Sequence, residues 1–190
     1  FSCEFSAPKS EEAGAKLLSA HDRLAALGPA YFSVTYGAGG STKDGTKQAV
    51  IDIRAKGSDV APHLSFGGDS ADKIEALLSE YKNANVTRVV ALRGDMPSGM
   101  GGSVRLTYAN ELVDFIRKKT GDHFHIEVAA YPEVHPDSRS VESDLNFFKA
   151  KVDAGANSAI TQYFYNPAAY FNFIDACEKK GVSIPIIPGI

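Results

Sequence analysis

Seven short apolar runs alternate with six longer stretches of helical periodicity along the chain. The runs are 1–5, 30–36, 60–66, 87–93, 124–131, 158–164 and 184–190. Several are rich in Val, Ile, Phe or Tyr and nearly continuous in apolarity, the pattern of strands covered on both faces. Between them, apolar residues recur at helical spacing. Tyr108, Leu112, Phe115 and Ile116 stand at i, i+4, i+7 and i+8 and predict one stripe of a helix. Gly28, Gly57, Gly121, Gly155 and Gly181 each close a helical pattern, where a left-handed cap favours a residue without Cβ. Asn166-Pro167 reads as an N-cap with proline at the first helical position. Ser41 with Asp44 resembles a capping box, with Asp in place of the usual Glu.

Strict alternation of strand and helix predicts a parallel sheet with helices outside it. A doubly wound open sheet competes with a barrel. A dinucleotide-binding sheet calls for G-x-G-x-x-G after its first strand, and nothing like it follows Phe5. The predicted fold class is therefore α/β, a (β/α)8 TIM barrel, with seven strands and six helices represented. The chain opens at Phe1 and closes at Ile190, both inside apolar segments. Residues 1–190 are expected to be one barrel domain, truncated before its eighth strand. No repeat, linker or low-complexity segment suggests a second domain.

Composition narrows the partners. Twenty Lys and Arg against 23 Asp and Glu give a formal charge of −3, which offers no basic footprint for nucleic acid. No apolar run approaches the ~18 residues of a membrane span. Cys3 and Cys177 lack both disulfide-framework numbers and metal-ligand spacing, and His21, His123 and His125 add no recognisable metal cluster. A reduced, cytoplasmic chain without a metal is expected.

In such barrels the chemistry collects at the C-terminal ends of strands. Six consecutive ends here carry polar groups: Glu4; Thr35 and Tyr36; His63; Arg93-Gly94-Asp95; Tyr131, Glu133 and His135; and Gln162. Glu4, set in Phe1-Ser2-Cys3-Glu4-Phe5, is expected to have a raised pKa, as a general acid needs near neutral pH. Its bland alternative is an exposed glutamate at a frayed end. His63 reads equally as a hydrogen-bonded core imidazole, and Lys151 by spacing alone is a solvated helix lysine. The glycine-rich turn 37–41 has the form of a phosphate cradle, although tight turns also need glycine. Residues 94–103 form a long loop at the presumed mouth.

Several strings along the chain belong together. They are Phe32-Ser33-Val34-Thr35-Tyr36-Gly37-Ala38-Gly39-Gly40-Ser41-Thr42, Leu92-Arg93-Gly94-Asp95, and Ala129-Ala130-Tyr131-Pro132-Glu133-Val134-His135-Pro136. Lys151-Val152-Asp153-Ala154-Gly155-Ala156-Asn157 with Ile160-Thr161-Gln162-Tyr163-Phe164, and Pro188-Gly189-Ile190, continue the series in order. Together these strings resemble the methylenetetrahydrofolate reductase family, and the resemblance implies a barrel holding FAD at its C-terminal mouth. NADH or NADPH reduces the flavin, which then passes hydride to 5,10-methylenetetrahydrofolate, giving 5-methyltetrahydrofolate in one-carbon metabolism.

The same resemblance assigns roles. Glu4 aligns with the general acid that protonates the departing nitrogen when the folate imidazolidine ring opens. Asp95 aligns with a carboxylate beside flavin and pterin, suited to stabilise the iminium cation. Gln162 aligns with a folate-binding amide, so Glu4, Asp95 and Gln162 form the implied substrate set. For FAD the matching positions are Thr35, His63, Arg93, Gly94, Tyr108, Ala109, Ala129, Tyr131, His135, Asp144 and Lys151. Among them Arg93, His135 and Lys151 suit a pyrophosphate or ribose, and Asp144 a ribose hydroxyl pair. A homo-oligomer acting on a small folate is implied. The first strand departs from the family pattern, with Ser6-Ala7-Pro8 after Phe5 and Cys3 where Phe is common. Two other readings stand beside this one: a non-catalytic flavin-binding or interaction fragment of the same barrel, and an aldolase using Lys151 as a Schiff-base nucleophile.

Overall fold

The structure is a computed structural model that describes residues 1–36, 43–66, 69–93 and 108–190. The strands are β1 Cys3–Phe5, β2 Phe32–Val34, β3 Val60–Leu64, β4 Arg88–Ala91, β5 His125–Ala130, β6 Ser158–Thr161 and β7 Ile186–Ile187. The helices between them are α1 Glu11–Ala25, α2 Lys43–Ala55, α3 Ala71–Asn83, α4 Ala109–Thr120, α5 Val141–Asp153 and α6 Pro167–Lys179. Each strand falls inside one expected apolar run and is shorter than it. The remainder of each run forms the approach to the sheet or the turn leaving it.

Local chemistry sets the helix starts. Ser10, Ser70 and Ser140 accept from the backbone N–H three residues on, capping α1, α3 and α5. Asn166 caps α6 by accepting from Ala168 N at 3.0 Å, with Pro167 in the first turn as the sequence predicts. The five expected capping glycines all have positive φ. Ser41 lies outside the described residues. Tyr108 departs from its expected place: it precedes α4 as the N-cap residue and is exposed, whereas Leu112 and Ile116 are buried. Its own N–H donates to the Glu111 carboxylate at 2.8 Å.

All seven strands are parallel and lie in sequence order. Register sorts their residues onto two faces. Leu64, Ala91, Val128 and Ala159 are aligned across β3 to β6 and belong to the buried core with Leu78, Leu112 and Ile116 of the helices. This layer holds the fold together; removing such a side chain to Ala costs about 2–5 kcal/mol. His63, Val90, Glu127 and Ser158 are aligned on the opposite face. That face is more polar than the near-continuous apolar runs suggested, since Ser33, His63, Glu127 and Ser158 are all buried there.

The sheet curls toward this polar face. Tyr31, just before β2, donates its hydroxyl to Glu127 of β5 at 2.5 Å. In a flat sheet, strands three apart would be separated by about 14 Å. The bond therefore requires the inner face to close on itself, as in an incomplete (β/α)8 barrel. Gly189 shows how tightly the last turn docks. A Cβ there would stand 2.2 Å from the Thr161 carbonyl oxygen, while its N–H donates to Thr161 Oγ1 at 2.9 Å.

Candidate active site

A cleft of about 790 Å³ opens at the C-terminal ends of β4 to β6, a volume within the usual range for a ligand or cofactor site. Arg93, leaving β4, and Tyr131 and His135, beyond β5, lie on its wall. Ala129 is on the wall too, and so is Gln162, just past β6. Tyr108 and Ala109 enter from the start of α4, and Asp144 and Lys151 from α5. Eight of the eleven positions assigned to FAD thus share one cavity.

Helix α5 brings two of these groups to the cleft by periodicity. Asp144, Phe148 and Lys151 stand at i, i+4 and i+7 on one side of it. Lys151 is not a solvated lysine. Its ammonium donates to the Ala129 carbonyl and sits 5.4 Å over the Phe148 ring. Burial pulls its pKa down to about 8, with Asp144 opposing the shift. Such a group holds a cation poorly solvated by water and gains from an anionic ligand.

The turn after β5 is preorganised. Val134 has φ of 70°, an uncommon and costly conformation for a β-branched residue. It places Tyr131 and His135 in edge-to-face contact at 4.5 Å. His135 Nδ1 accepts from Asp137 N at 3.0 Å, so a neutral ring carries its proton on Nε2. Asp144 accepts from His135 N at 3.2 Å and from Ser138 Oγ at 2.8 Å. Each oxygen keeps a lone pair for a ligand hydroxyl. Arg93 is paired with the exposed Asp137 at 2.5 Å, which holds that carboxyl below its ordinary pKa. Gln162 accepts from Tyr163 N at 3.1 Å through its amide oxygen.

The β1 to β3 side is arranged differently. Glu4 approaches His63 Nε2 at 3.3 Å, and its side chain is 54 % exposed. The expected raised pKa is corrected here. Hydrogen bonding from His63 lowers it most, with the His63 charge and Ser33 adding to that against the opposing effect of burial. The apolar neighbours in sequence do not surround the carboxyl because alternation sends Cys3 and Phe5 to the other face, against the helices. His63 is buried on the inner face, and Thr35 Oγ1 accepts from Ala7 N at 3.0 Å. Neither Thr35 nor His63 reaches the cleft wall. Tyr36 does, and its hydroxyl donates to Asp69, itself ion-paired with Lys43.

Gly94 and Asp95 lie outside the described residues, as do the glycine-rich turn 37–41 and the loop 94–103. Sequence reasoning missed Asp137, Ser138, Ser143, Phe147 and Phe148, all on the cleft wall. The spacing 144, 148 and 151 was a usable signal for Phe148; the turn residues offered none. It also missed a network at the N-terminal end of the barrel. There His125 Nε2–H donates to Ser158 Oγ at 2.8 Å, Ser158 donates to Glu127 at 2.9 Å, and Arg88 lies 4.9 Å over the Tyr31 ring. Among the described residues, no cluster of three or more His, Cys, Asp or Glu could hold a metal, and no helix is long and apolar enough to cross a membrane.

Comparison with known proteins bears on the whole chain. The family model described as Methylenetetrahydrofolate reductase matches residues 1–190. The chain belongs to the methylenetetrahydrofolate reductase family. It is 42 % identical over 190 residues to 5,10-methylenetetrahydrofolate reductase of Escherichia coli strain K12, covering all of this chain and 63 % of that relative. It is 38 % identical over 208 residues to methylenetetrahydrofolate reductase (NADH) 1 of Arabidopsis thaliana, covering 34 % of that protein. The chain therefore spans about 63 % of the length of its bacterial reductase relatives. Among solved structures, a Clostridium thermocellum protein that binds two copies of 5-methyl-5,6,7,8-tetrahydrofolic acid matches with a TM-score of 0.69 at 14 % identity, over 99 % of this chain and 64 % of that one. A phosphonopyruvate hydrolase matches with a TM-score of 0.67 at 13 % identity, over 99 % of this chain and 66 % of its own. At such identities these two matches establish shared fold alone, one that different chemistries use.

Proposed function

We propose that the protein containing this chain reduces 5,10-methylenetetrahydrofolate to 5-methyltetrahydrofolate, with NADH or NADPH as reductant and FAD as the bound carrier. The observation that carries this reading is the convergence of eight assigned FAD positions on one cleft, in a chain that matches the reductase family throughout. The donor set fits such a cofactor. Lys151 and Arg93 supply cations for a pyrophosphate, His135 presents an Nε2–H, and Asp144 retains acceptor capacity for ribose hydroxyls. When bound, FAD supplies two-electron hydride carriage between nicotinamide and folate.

The chain's own residues then have distinct tasks. Glu4 delivers a proton to the ring nitrogen that leaves the one-carbon bridge. With its carboxyl open to water, His63 and Ser33 keep it on the ionised side. A substrate seated over it would strip that water and push its pKa up, the direction a general acid needs. Gln162, oriented by Tyr163 N, offers its amide to the pterin. Asp95 is assigned the stabilisation of positive charge on the opened folate. The same proposal places a homo-oligomer in the cytoplasm.

The test is direct. Purified full-length protein should be yellow, with flavin absorption bleached by NADH or NADPH without oxygen and restored by the folate. Colourless protein that takes up no flavin would overturn the proposal. Flavin uptake without nicotinamide oxidation would favour a non-catalytic flavin-binding protein. The lowered pKa of Lys151 also suits a Schiff-base lysine, and borohydride trapping of a carbonyl substrate on it would favour an aldolase.

A further inference from the structure

His21 holds a set of bonds that the cofactor cleft does not use. It lies on α1 and is only 2 % exposed. Its Nδ1 stands 3.2 Å from Oδ1 of Asp22. Its Nε2 stands 2.8 Å from Oγ of Ser58, which is 37 residues away in the turn between α2 and β3. The ring packs against Phe32, with centroids 4.6 Å apart. Gly57, with φ of 90°, turns the chain just before Ser58.

Charge decides where the protons sit. Lys56 donates to both oxygens of Asp22, at 2.8 and 2.9 Å. That contact first, and the bond from His21 second, hold the Asp22 carboxyl below its ordinary pKa. An ionised carboxylate only accepts, so a neutral His21 carries its proton on Nδ1 and presents a lone pair at Nε2. Ser58 is then the donor. A serine donating to an imidazole whose other nitrogen is held by a carboxylate is the arrangement of a nucleophile, its base and the group that orients the base.

A buried histidine that only needs its nitrogens satisfied has no use for an open approach to its partner, and Ser58 has one. It is half-buried and lines a second cavity, of about 340 Å³, that shares no wall residue with the cleft. That volume is at the small end of ligand sites. Ala25, Pro29 and Phe32 give it an apolar wall. Arg54 donates to the Ser58 carbonyl at 3.3 Å, which brings positive charge to the side of the site where an acyl oxygen would gather negative charge. We propose that Ser58 is a nucleophile toward small uncharged carboxylic esters, with His21 as its base and Asp22 as the positioning residue. Oγ bonds to the carbonyl carbon as its proton passes to Nε2. The ester C–O bond breaks, and the alcohol leaves with that proton. Water attacks the acyl-serine in the same way, releasing the acid and restoring Ser58 and His21. No electrons change hands, so the site works without a flavin and independently of the reductase reading.

The experiment treats full-length protein with diisopropyl fluorophosphate, maps the label by peptide mass spectrometry, and follows hydrolysis of p-nitrophenyl acetate. The label should fall on Ser58. Ser58→Ala should slow hydrolysis by about 10²-fold or more, the low end of what a positioned base contributes. Asp22→Asn should lower kcat and leave KM near the parent value, because it acts on the base and not on the ester. Label on other residues alone, or hydrolysis unchanged in Ser58→Ala, would overturn the nucleophile. An unchanged kcat in Asp22→Asn would overturn the arrangement of the three groups. Parent protein that neither takes the label nor hydrolyses the ester would leave His21 a hydrogen-bonded core imidazole and overturn the proposal. The label on the parent decides the matter whether or not a variant folds.

Discussion

The two ends of the barrel use similar residues to opposite ends. At the N-terminal end, Tyr31, His125 and Ser158 converge on the Glu127 carboxylate in a chain of hydrogen bonds, and Glu127 is only 4 % exposed. Burial and that carboxylate push the Tyr31 phenol up to about 12. The Tyr31, His125 and Ser158 donors each have an acceptor inside the chain. At the C-terminal end, Lys151, His135 and Asp144 are fixed by the backbone and by neighbours, yet retain lone pairs or protons turned to the cleft. A satisfied polar network stabilises; a positioned but unfinished one binds. Residue type alone does not tell the two apart, and only the partners do.

Four substitutions and one pH titration would break or sharpen that contrast. The largest effect is expected at Glu4. Glu4→Gln should slow folate reduction by about 10²–10⁴-fold, the usual worth of a positioned acid, and leave flavin reduction by the nicotinamide near its parent rate. Stopped-flow measurement of both half-reactions checks this, and equal losses would remove Glu4 from the proton step. Glu127→Ala should come next. It strips the acceptor from buried Ser158 and half-buried Tyr31 and should cost about 3 kcal/mol in chemical denaturation, with little change in flavin affinity for the protein that remains folded.

Lys151→Met should act in the reverse sense. It removes a poorly solvated ammonium, so stability should rise, while FAD should bind about tenfold more weakly for one lost charged contact. The pH dependence follows from the lowered value of about 8. Below it the ammonium is charged and affinity is full; as pH rises through about 8 the proton is lost and affinity falls. The unfolded chain holds that proton to higher pH, so folding stability should rise from about pH 8 up to the ordinary lysine value of 10.5. Isothermal titration from pH 7 to 9, with Lys151→Met as the flat control, measures the first effect. The smallest change is expected at Val134. Val134→Asn places a residue that tolerates φ of 70° in the strained turn and should add about 1 kcal/mol of thermal stability.

Much of the barrel was legible because alternation of apolar runs and helical periods is a chain-wide signal. The seven runs each hold a strand, and Asn166-Pro167 begins α6 as written. What local pattern could not give was direction. Glu4 sits among apolar neighbours in sequence, yet alternation turns it to the polar inner face, and its expected raised pKa failed for that reason. Tyr108 fits a helical stripe by spacing but precedes the helix and serves the cleft. By spacing alone Lys151 reads as solvated, because the Ala129 carbonyl that receives it is 22 residues away. Glu127 gave no warning at all: its partners come from before β2 and from β6, a meeting that only the curl creates.

That cross-barrel bond has a mechanical consequence. β1 and β7 are the outer members of the sheet, and neither is hydrogen-bonded to the other. The phenol of Tyr31 and the carboxylate of Glu127 act as a chord drawn across the arc, fixing how far β2 stands from β5.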